Sequence, residues 1–301
     1  MRIISLCVSS LNLIRPHRQE VRDFSLATVV LLFLFPMLSA CANDPGSKLA
    51  DADSAAAESR SVRPSDARPI VIGFLGGYVR HDDAVHTTVQ VARDLRQAYP
   101  NAIHVETFEN RRLDDAHTLI VNLLGARSAS NLTPEQKRNA HIILYGHSWG
   151  ACAVVSLARQ LHDEGIPVVL TVQVDSVSKA GRDDARIPDN VAYAANFYQD
   201  KGFVRGQQKI IAEDASRTKI LGNFYFDYSA NPIACPQYPW YTRVFMRSHI
   251  EIECDQRVWH RVEDLIREQL TTSVAAASNP AAENPANSNL PSSSQPSQNQ
   301  K

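Results

Sequence analysis

The chain has 301 residues with 31 Lys+Arg, 32 Asp+Glu and a formal net charge of -1, so it lacks the basic excess typical of nucleic-acid-binding proteins. Its 5 cysteines show no zinc-site spacing, and we expect neither a metal nor another cofactor. Residues 69–270 are long enough for one domain with a substantial core, whereas the composition of both ends argues against folding.

Residues 1–40 have the pattern of an export signal. Basic positions precede an apolar run, residues 26–38, which is too short to span a bilayer and is typical of a signal-peptide core. The run ends in Leu-Ser-Ala before Cys41, which resembles the lipobox of bacterial lipoproteins. The resemblance implies cleavage before Cys41, acylation of that cysteine and, because Ala42 is not Asp, transfer to the outer membrane. The alternative is an ordinary secretory signal with an incidental cysteine.

Two segments have the composition of flexible chain. Residues 41–68 follow the lipid-anchored cysteine and are rich in Ala, Ser, Asp and Arg without periodicity, which predicts a linker. Residues 271–301 are dominated by Ser, Asn, Pro, Gln and Ala, which predicts a disordered low-complexity tail. The folded domain is therefore expected over 69–270.

Strand-like and helical patterns alternate through the first half of that domain. A buried strand over 69–75 breaks into a glycine turn, and a Thr133-Pro134-Glu135-Gln136 capping box precedes the next strand. Between them the spacing predicts a helix over 81–98, a strand over 102–108 and a helix over 114–124. Alternation of this kind predicts parallel βαβ units.

The most informative stretch is Gly-His-Ser-Trp-Gly around Ser148. The strand-like run 141–145 precedes it, and a helical pattern over 149–164 follows it. The strand, the GxSxG motif and the helix together resemble the nucleophile elbow of the α/β-hydrolase superfamily. This resemblance implies that Ser148 is a catalytic nucleophile. A tight turn whose serine only caps the helix is the alternative.

The resemblance implies an acid and a histidine later in the chain. Asp175, Asp200 and Asp227 each end a predicted strand, and parallel strands bring such residues to the edge that carries the elbow. We favour Asp175 because it follows an apolar strand directly, with Asp200 as the alternative acid and Asp227 less favoured. His249, between the last strand and the terminal helix over 255–270, is the expected base.

The other histidines have structural roles in this interpretation. His260 lies in the terminal helix and is expected at the surface. His147 occupies a variable position of the GxSxG motif, where a supporting residue is common.

The glycine turn after the first strand resembles the hydrolase loop that contributes one oxyanion-hole amide. By this resemblance the donors are the backbone amides of Phe74 and Trp149, with Leu75 or Gly76 replacing Phe74 if the register shifts. Two cysteines, Cys235 and Cys254, flank the candidate histidine, and a disulfide between them is plausible in an oxidising compartment. The third cysteine of the domain, Cys152, is expected to be free and buried.

Together these features predict an α/β-hydrolase fold with a mostly parallel central sheet, helices on both faces and no large cap domain. The resemblance implies a serine hydrolase of esters or thioesters that acts on a small-molecule or lipid acyl substrate. We expect a monomer, anchored by lipid in the cell envelope and facing the periplasm or the outside. The alternative is a catalytically inactive lipoprotein of the same fold with a binding or envelope-structural role.

Overall fold

The structure, a computed structural model, describes residues 68–278, and for residues 272–278 it describes the backbone alone. The predicted signal peptide, Cys41 and residues 279–301 lie outside the described residues. Within residues 68–278 no helix is both long and apolar enough to cross a membrane.

Six parallel strands form the central sheet in the order β2-β1-β3-β4-β6-β8. These strands are β1 (Ile70–Leu75), β2 (His104–Glu109), β3 (Ile142–His147), β4 (Val168–Val174), β6 (Val191–Tyr198) and β8 (Lys219–Tyr225). A separate two-stranded pair consists of β5 (Arg186–Ile187) and β7 (Ile211–Ala212). Every residue of β1 and β3 is buried, as expected for apolar strands covered on both faces.

Helices connect the first four strands and follow the last one. They are α1 (Thr87–Ala98), α2 (Leu113–Leu123), α3 (Pro134–Arg138), α4 (Trp149–Asp163), α5 (Trp240–Phe245), α6 (Arg247–Cys254) and α7 (Gln256–Ser278), with a 3-10 turn at Ala129–Asn131. The predicted capping box is present at α3, where Thr133 and Gln136 bond reciprocally.

The sheet separates two apolar cores because alternate residues of each strand point to opposite faces. Ile142 and Leu144 of β3 belong to the core that contains buried residues of α2 and α4. Ile143 and Tyr145 belong to the other core, with residues of α1 and α7. The parallel sheet with helices on both faces confirms the predicted α/β-hydrolase fold.

The first helix starts later than the sequence pattern predicts. The expected start is residue 81, but α1 begins at Thr87. The His81 carbonyl accepts a 2.7 Å hydrogen bond from Thr107 Oγ1, and its N–H donates to the Glu109 carboxylate over 3.3 Å. These long-range bonds hold His81 against the end of β2, so the chain there forms a turn instead of helix.

The terminal helix ends later than predicted. The expected end is residue 270, but α7 runs to Ser278. The extra segment includes three consecutive alanines at 275–277, and alanine has the highest intrinsic helix propensity.

Candidate active site

Ser148 lies in a strained turn between β3 and α4. Its φ and ψ are 57° and -125°, a conformation that a residue other than glycine rarely adopts. A Cβ on Gly150 would lie 2.1 Å from the carbonyl oxygen of Phe74, and one on Gly146 would lie 2.7 Å from the backbone of Gly150. The two glycines of the motif are therefore required by close backbone approach.

His249 reaches the Ser148 hydroxyl from α6. Its Nε2 atom lies 2.9 Å from Ser148 Oγ, although the two residues are 101 positions apart. The His249 side chain is 2% exposed, so it is shielded from bulk water. In the tautomer that carries its hydrogen on Nδ1, this Nε2 accepts a hydrogen bond from the Ser148 hydroxyl.

Asp175 holds the opposite side of the His249 ring. Its Oδ2 atom lies 2.6 Å from His249 Nδ1, and its side chain is fully buried at the end of β4. Gln199 donates twice to this carboxylate, from its backbone N–H to Oδ1 over 3.1 Å and from Nε2 to Oδ2 over 2.8 Å. A Cβ at Gly206 would lie 2.1 Å from Asp175 Oδ1, so the glycine makes room for the carboxylate.

The other candidates lie apart from this cluster. Asp200 accepts from the Tyr225 hydroxyl over 2.8 Å and pairs with Lys201 over 3.2 Å. Asp227 accepts from the backbone N–H of Ser229 over 2.9 Å. His260 is exposed on α7. The structure thus brings together Ser148, His249 and Asp175, the favoured set, and their catalytic roles remain predictions.

Phe74 and Gly76, two candidate donors of the proposed oxyanion loop, have different surroundings in the structure. Phe74 lies inside β1, in register with Gly146 on one side and Phe108 on the other, so its backbone belongs to the sheet. Gly76 is the residue that approaches the nucleophile, because a Cβ there would lie 2.7 Å from Ser148 Cβ. We therefore favour Gly76, the shifted-register alternative, over Phe74, and the choice of donor stays a prediction.

The second expected donor, Trp149, is the first residue of α4. The first amides of a helix have no intrahelical acceptor, so its N–H is free to bind an oxyanion beside Ser148.

Asn110 fixes the loop that contains Gly76. Its side-chain amide donates to the carbonyls of Leu75 over 3.1 Å and Gly77 over 2.5 Å, and the residue is 3% exposed. Sequence reasoning missed Asn110, because nothing in its local pattern indicates contact with a turn more than thirty residues earlier.

His147 forms a buried ion pair with Glu253, which lies near the end of α6. The His147 ring stacks on the His249 ring with centroids 4.7 Å apart. Burial opposes charge on both groups, but their mutual attraction prevails: the pKa of His147 is raised and the pKa of Glu253 falls well below its usual range. The expected supporting role of His147 thus has a specific partner, Glu253, on the helix that carries His249.

A disulfide joins Cys235 to Cys254 at the end of α6. Cys235 packs with Tyr238 and Ile250 in a small apolar cluster beside that helix. Cys152, by contrast, is free and buried in α4. Among residues 68–278 no group of three or more His, Cys, Asp or Glu residues is arranged to hold a metal ion.

No protein-family model matches the chain, and no curated protein matches it. It is similar to the structure of a cutinase-like protein from Cryptococcus sp., with 13% identity, a TM-score of 0.37 and coverage of 68% of this chain and 97% of that chain. A thermostable esterase from Pseudomonas putida has 11% identity, a TM-score of 0.36 and coverage of 72% and 76%. The RedJ thioesterase from Streptomyces coelicolor has 12% identity, a TM-score of 0.32 and coverage of 66% and 96%.

These identities and TM-scores are low, so the fold assignment rests on the sheet order and on the turn at Ser148. The chain has the α/β-hydrolase fold, with Ser148, His249 and Asp175 in hydrogen-bond contact at one edge of its sheet.

Proposed function

We propose that the protein is a serine hydrolase that cleaves carboxylic ester or thioester bonds through a covalent acyl-enzyme. The observation that carries this proposal is the buried chain of hydrogen bonds from Ser148 through His249 to Asp175, with distances of 2.9 Å and 2.6 Å. A serine hydroxyl bonded to an oriented histidine is activated as a nucleophile, because the ring can take its proton during attack.

In the first half of the reaction Ser148 Oγ bonds to the acyl carbon while His249 Nε2 takes the hydroxyl proton. Asp175 holds the imidazole tautomer and offsets its positive charge. The amides of Trp149 and Gly76 stabilise the oxyanion of the tetrahedral intermediate. The bond to the alcohol or thiol then breaks, and the leaving group takes the proton from His249.

In the second half a water molecule attacks the acyl carbon and gives a proton to His249. The bond to Ser148 Oγ breaks, His249 returns the proton to that oxygen, and the carboxylic acid leaves. We assign esters and thioesters because alcohols and thiols leave more readily than amines. Tyr78, which is 78% exposed, packs edge-on against Trp149 and offers an apolar surface to a small-molecule or lipid acyl substrate.

The test is labelling of the full-length protein, purified in detergent, with a fluorophosphonate probe. We expect labelling of the wild type, none for Ser148→Ala and a loss of at least about 100-fold in labelling rate for His249→Ala. Ser156→Ala is the matched control, since Ser156 lies on α4, the helix that follows Ser148, and its hydroxyl donates to the Cys152 carbonyl over 2.9 Å. A folded wild type that does not label contradicts the proposal and favours a binding or structural role.

The proposal includes a lipid anchor at Cys41 that holds a monomer in the envelope, with the outer membrane favoured. It is supported by the apolar run at residues 26–38 and the Leu-Ser-Ala-Cys sequence that ends at Cys41. Metabolic labelling with an alkyne fatty acid should mark the wild type in the membrane fraction and leave Cys41→Ser unmarked. Equal labelling of both proteins contradicts acylation at this cysteine.

A further inference from the structure

A lysine beside the candidate active site takes no part in the proposed proton transfers. Lys179 lies in the loop after β4, and its Nζ atom bonds the side-chain oxygen of Asn110. The same ammonium lies 5.1 Å from the centre of the Trp149 ring, in cation–π contact. Lys179 and Trp149 are both only partly buried, so the charge is open to solvent on one side.

This loop is joined to the nucleophile and to the oxyanion loop. The backbone N–H of Val177 donates to the Ser148 carbonyl over 3.2 Å. Asn110, which receives the bond from Lys179, also donates to the carbonyls of Leu75 and Gly77. The ammonium group therefore lies at the same edge of the sheet as Ser148.

Three cations at and around Lys179 form no ion pairs among the described residues. Within residues 68–271 neither Lys179 nor its neighbours Arg111 and Arg182 form an ion pair with a carboxylate. Partial burial, together with these two arginines, lowers the pKa of Lys179. Of the acids near Arg111 in sequence, Glu109 pairs with His81 over 3.3 Å and Asp115 pairs with Arg112 over 2.6 Å.

We propose that Lys179, supported by Arg111 and Arg182, binds an anionic group of the substrate, such as a carboxylate, beside the scissile acyl bond. An ammonium group has three N–H donors, and Asn110 takes one, which leaves two for an anion. Charge-assisted hydrogen bonds are stronger than neutral ones, so this contact separates anionic from neutral substrates. The inference rests on the proposed hydrolase function and defines its substrate class.

The test uses matched ester pairs that differ in one charge, with the full-length protein and with uncatalysed rates subtracted. Mono-4-nitrophenyl adipate and its methyl ester place the charge on the acyl side. 4-Carboxyphenyl butyrate and its methyl ester place it on the alcohol side. For each pair the ratio of kcat/KM for the anionic ester to kcat/KM for the neutral ester is measured.

We expect the wild type to prefer the anionic ester in at least one pair. Lys179→Met should reduce that ratio about 10- to 100-fold, the loss typical of one charge-assisted hydrogen bond, mainly through KM. Lys179→Arg should recover part of the ratio. Lys219→Met is the control and should keep the wild-type ratio, because Lys219 begins β8 at the opposite edge of the parallel sheet.

Three results overturn the inference. If neither pair shows an anionic preference in an active wild type, the subsite is wrong while the hydrolase function stands. If Lys179→Met lowers both kcat/KM values equally, Lys179 only positions Asn110 and the oxyanion loop. If no ester is hydrolysed and the fluorophosphonate probe does not label Ser148, the proposed function fails and this inference fails with it.

Discussion

Replacing Asp175 by asparagine tests the hydrogen-bond chain at its most buried point. Both carboxylate oxygens accept hydrogen bonds: Oδ2 from His249 and from Gln199 Nε2, and Oδ1 from the Gln199 backbone. Asparagine offers one oxygen and one NH₂ group. In either orientation of the amide, its NH₂ group therefore faces a donor of Gln199, and in one orientation it also faces His249.

The expected loss follows from this geometry. When the NH₂ group faces His249 Nδ1, the ring must carry its hydrogen on Nε2 and can no longer accept the Ser148 proton. The corresponding substitution in a serine protease lowers kcat about 10⁴-fold for this reason. In the other orientation the Gln199 backbone N–H loses its acceptor, at a cost of about 1–3 kcal/mol in the free energy of unfolding.

We therefore expect Asp175→Asn to lower kcat for 4-nitrophenyl butyrate by about 10³- to 10⁴-fold, with the protein still folded by circular dichroism. Asp200→Asn is the matched control. Its carboxylate is 34% exposed and binds Tyr225 and Lys201, so we expect less than about a twofold change in kcat. Activity that survives Asp175→Asn but is lost in Asp200→Asn would refute this assignment of the acid.

Two further predictions concern the neighbours of the nucleophile. Gly76→Ala places a methyl group 2.7 Å from Ser148 Cβ and displaces the nucleophile, so we expect kcat to fall at least about 100-fold in the ester assay, and wild-type turnover would contradict this close approach. Glu253→Gln removes a buried ion pair, and we expect about 3–5 kcal/mol less unfolding free energy in chemical denaturation. Because the pKa of Glu253 is lowered, its contribution to the free energy of unfolding is present above about pH 4.5 and is lost in acid. Because the pKa of His147 is raised, its contribution is present below about pH 6.5 and is lost as pH rises. The difference in unfolding free energy between wild type and Glu253→Gln should therefore be largest between about pH 4.5 and pH 6.5. A difference that does not change with pH would contradict the ion pair.

The order of strands and helices was predictable because it depends on short-range patterns. Apolar runs such as residues 141–145 become strands buried on both faces, and the capping box at Thr133 marks a helix start. The elbow is predictable for the same reason, since its two glycines and Ser148 lie within five neighbouring positions of one turn. The start of α1 was not predictable, because it depends on hydrogen bonds between His81 and residues of β2, which is distant in sequence.

The choice of acid could not be settled from the sequence. Asp175 and Asp200 both follow strands of a parallel sheet, so local pattern places both at the same edge. The difference between them is made by residues far along the chain. Gln199 donates to the Asp175 carboxylate, and Gly206 leaves room for it, whereas Asp200 faces Tyr225. The oxyanion register was ambiguous for a similar reason, since a shift of two residues separates Phe74 from Gly76.

Helix α6, which carries His249, is held in place by contacts with three other parts of the domain. Helix α6 has three attachments within six positions: His249 to Asp175, Glu253 to His147 and the disulfide at Cys254. An eight-residue helix has little stability of its own in water, so its position depends on such contacts. Because proton transfer between His249 and Ser148 requires hydrogen-bond distance, these attachments link the stability of α6 directly to the proposed chemistry.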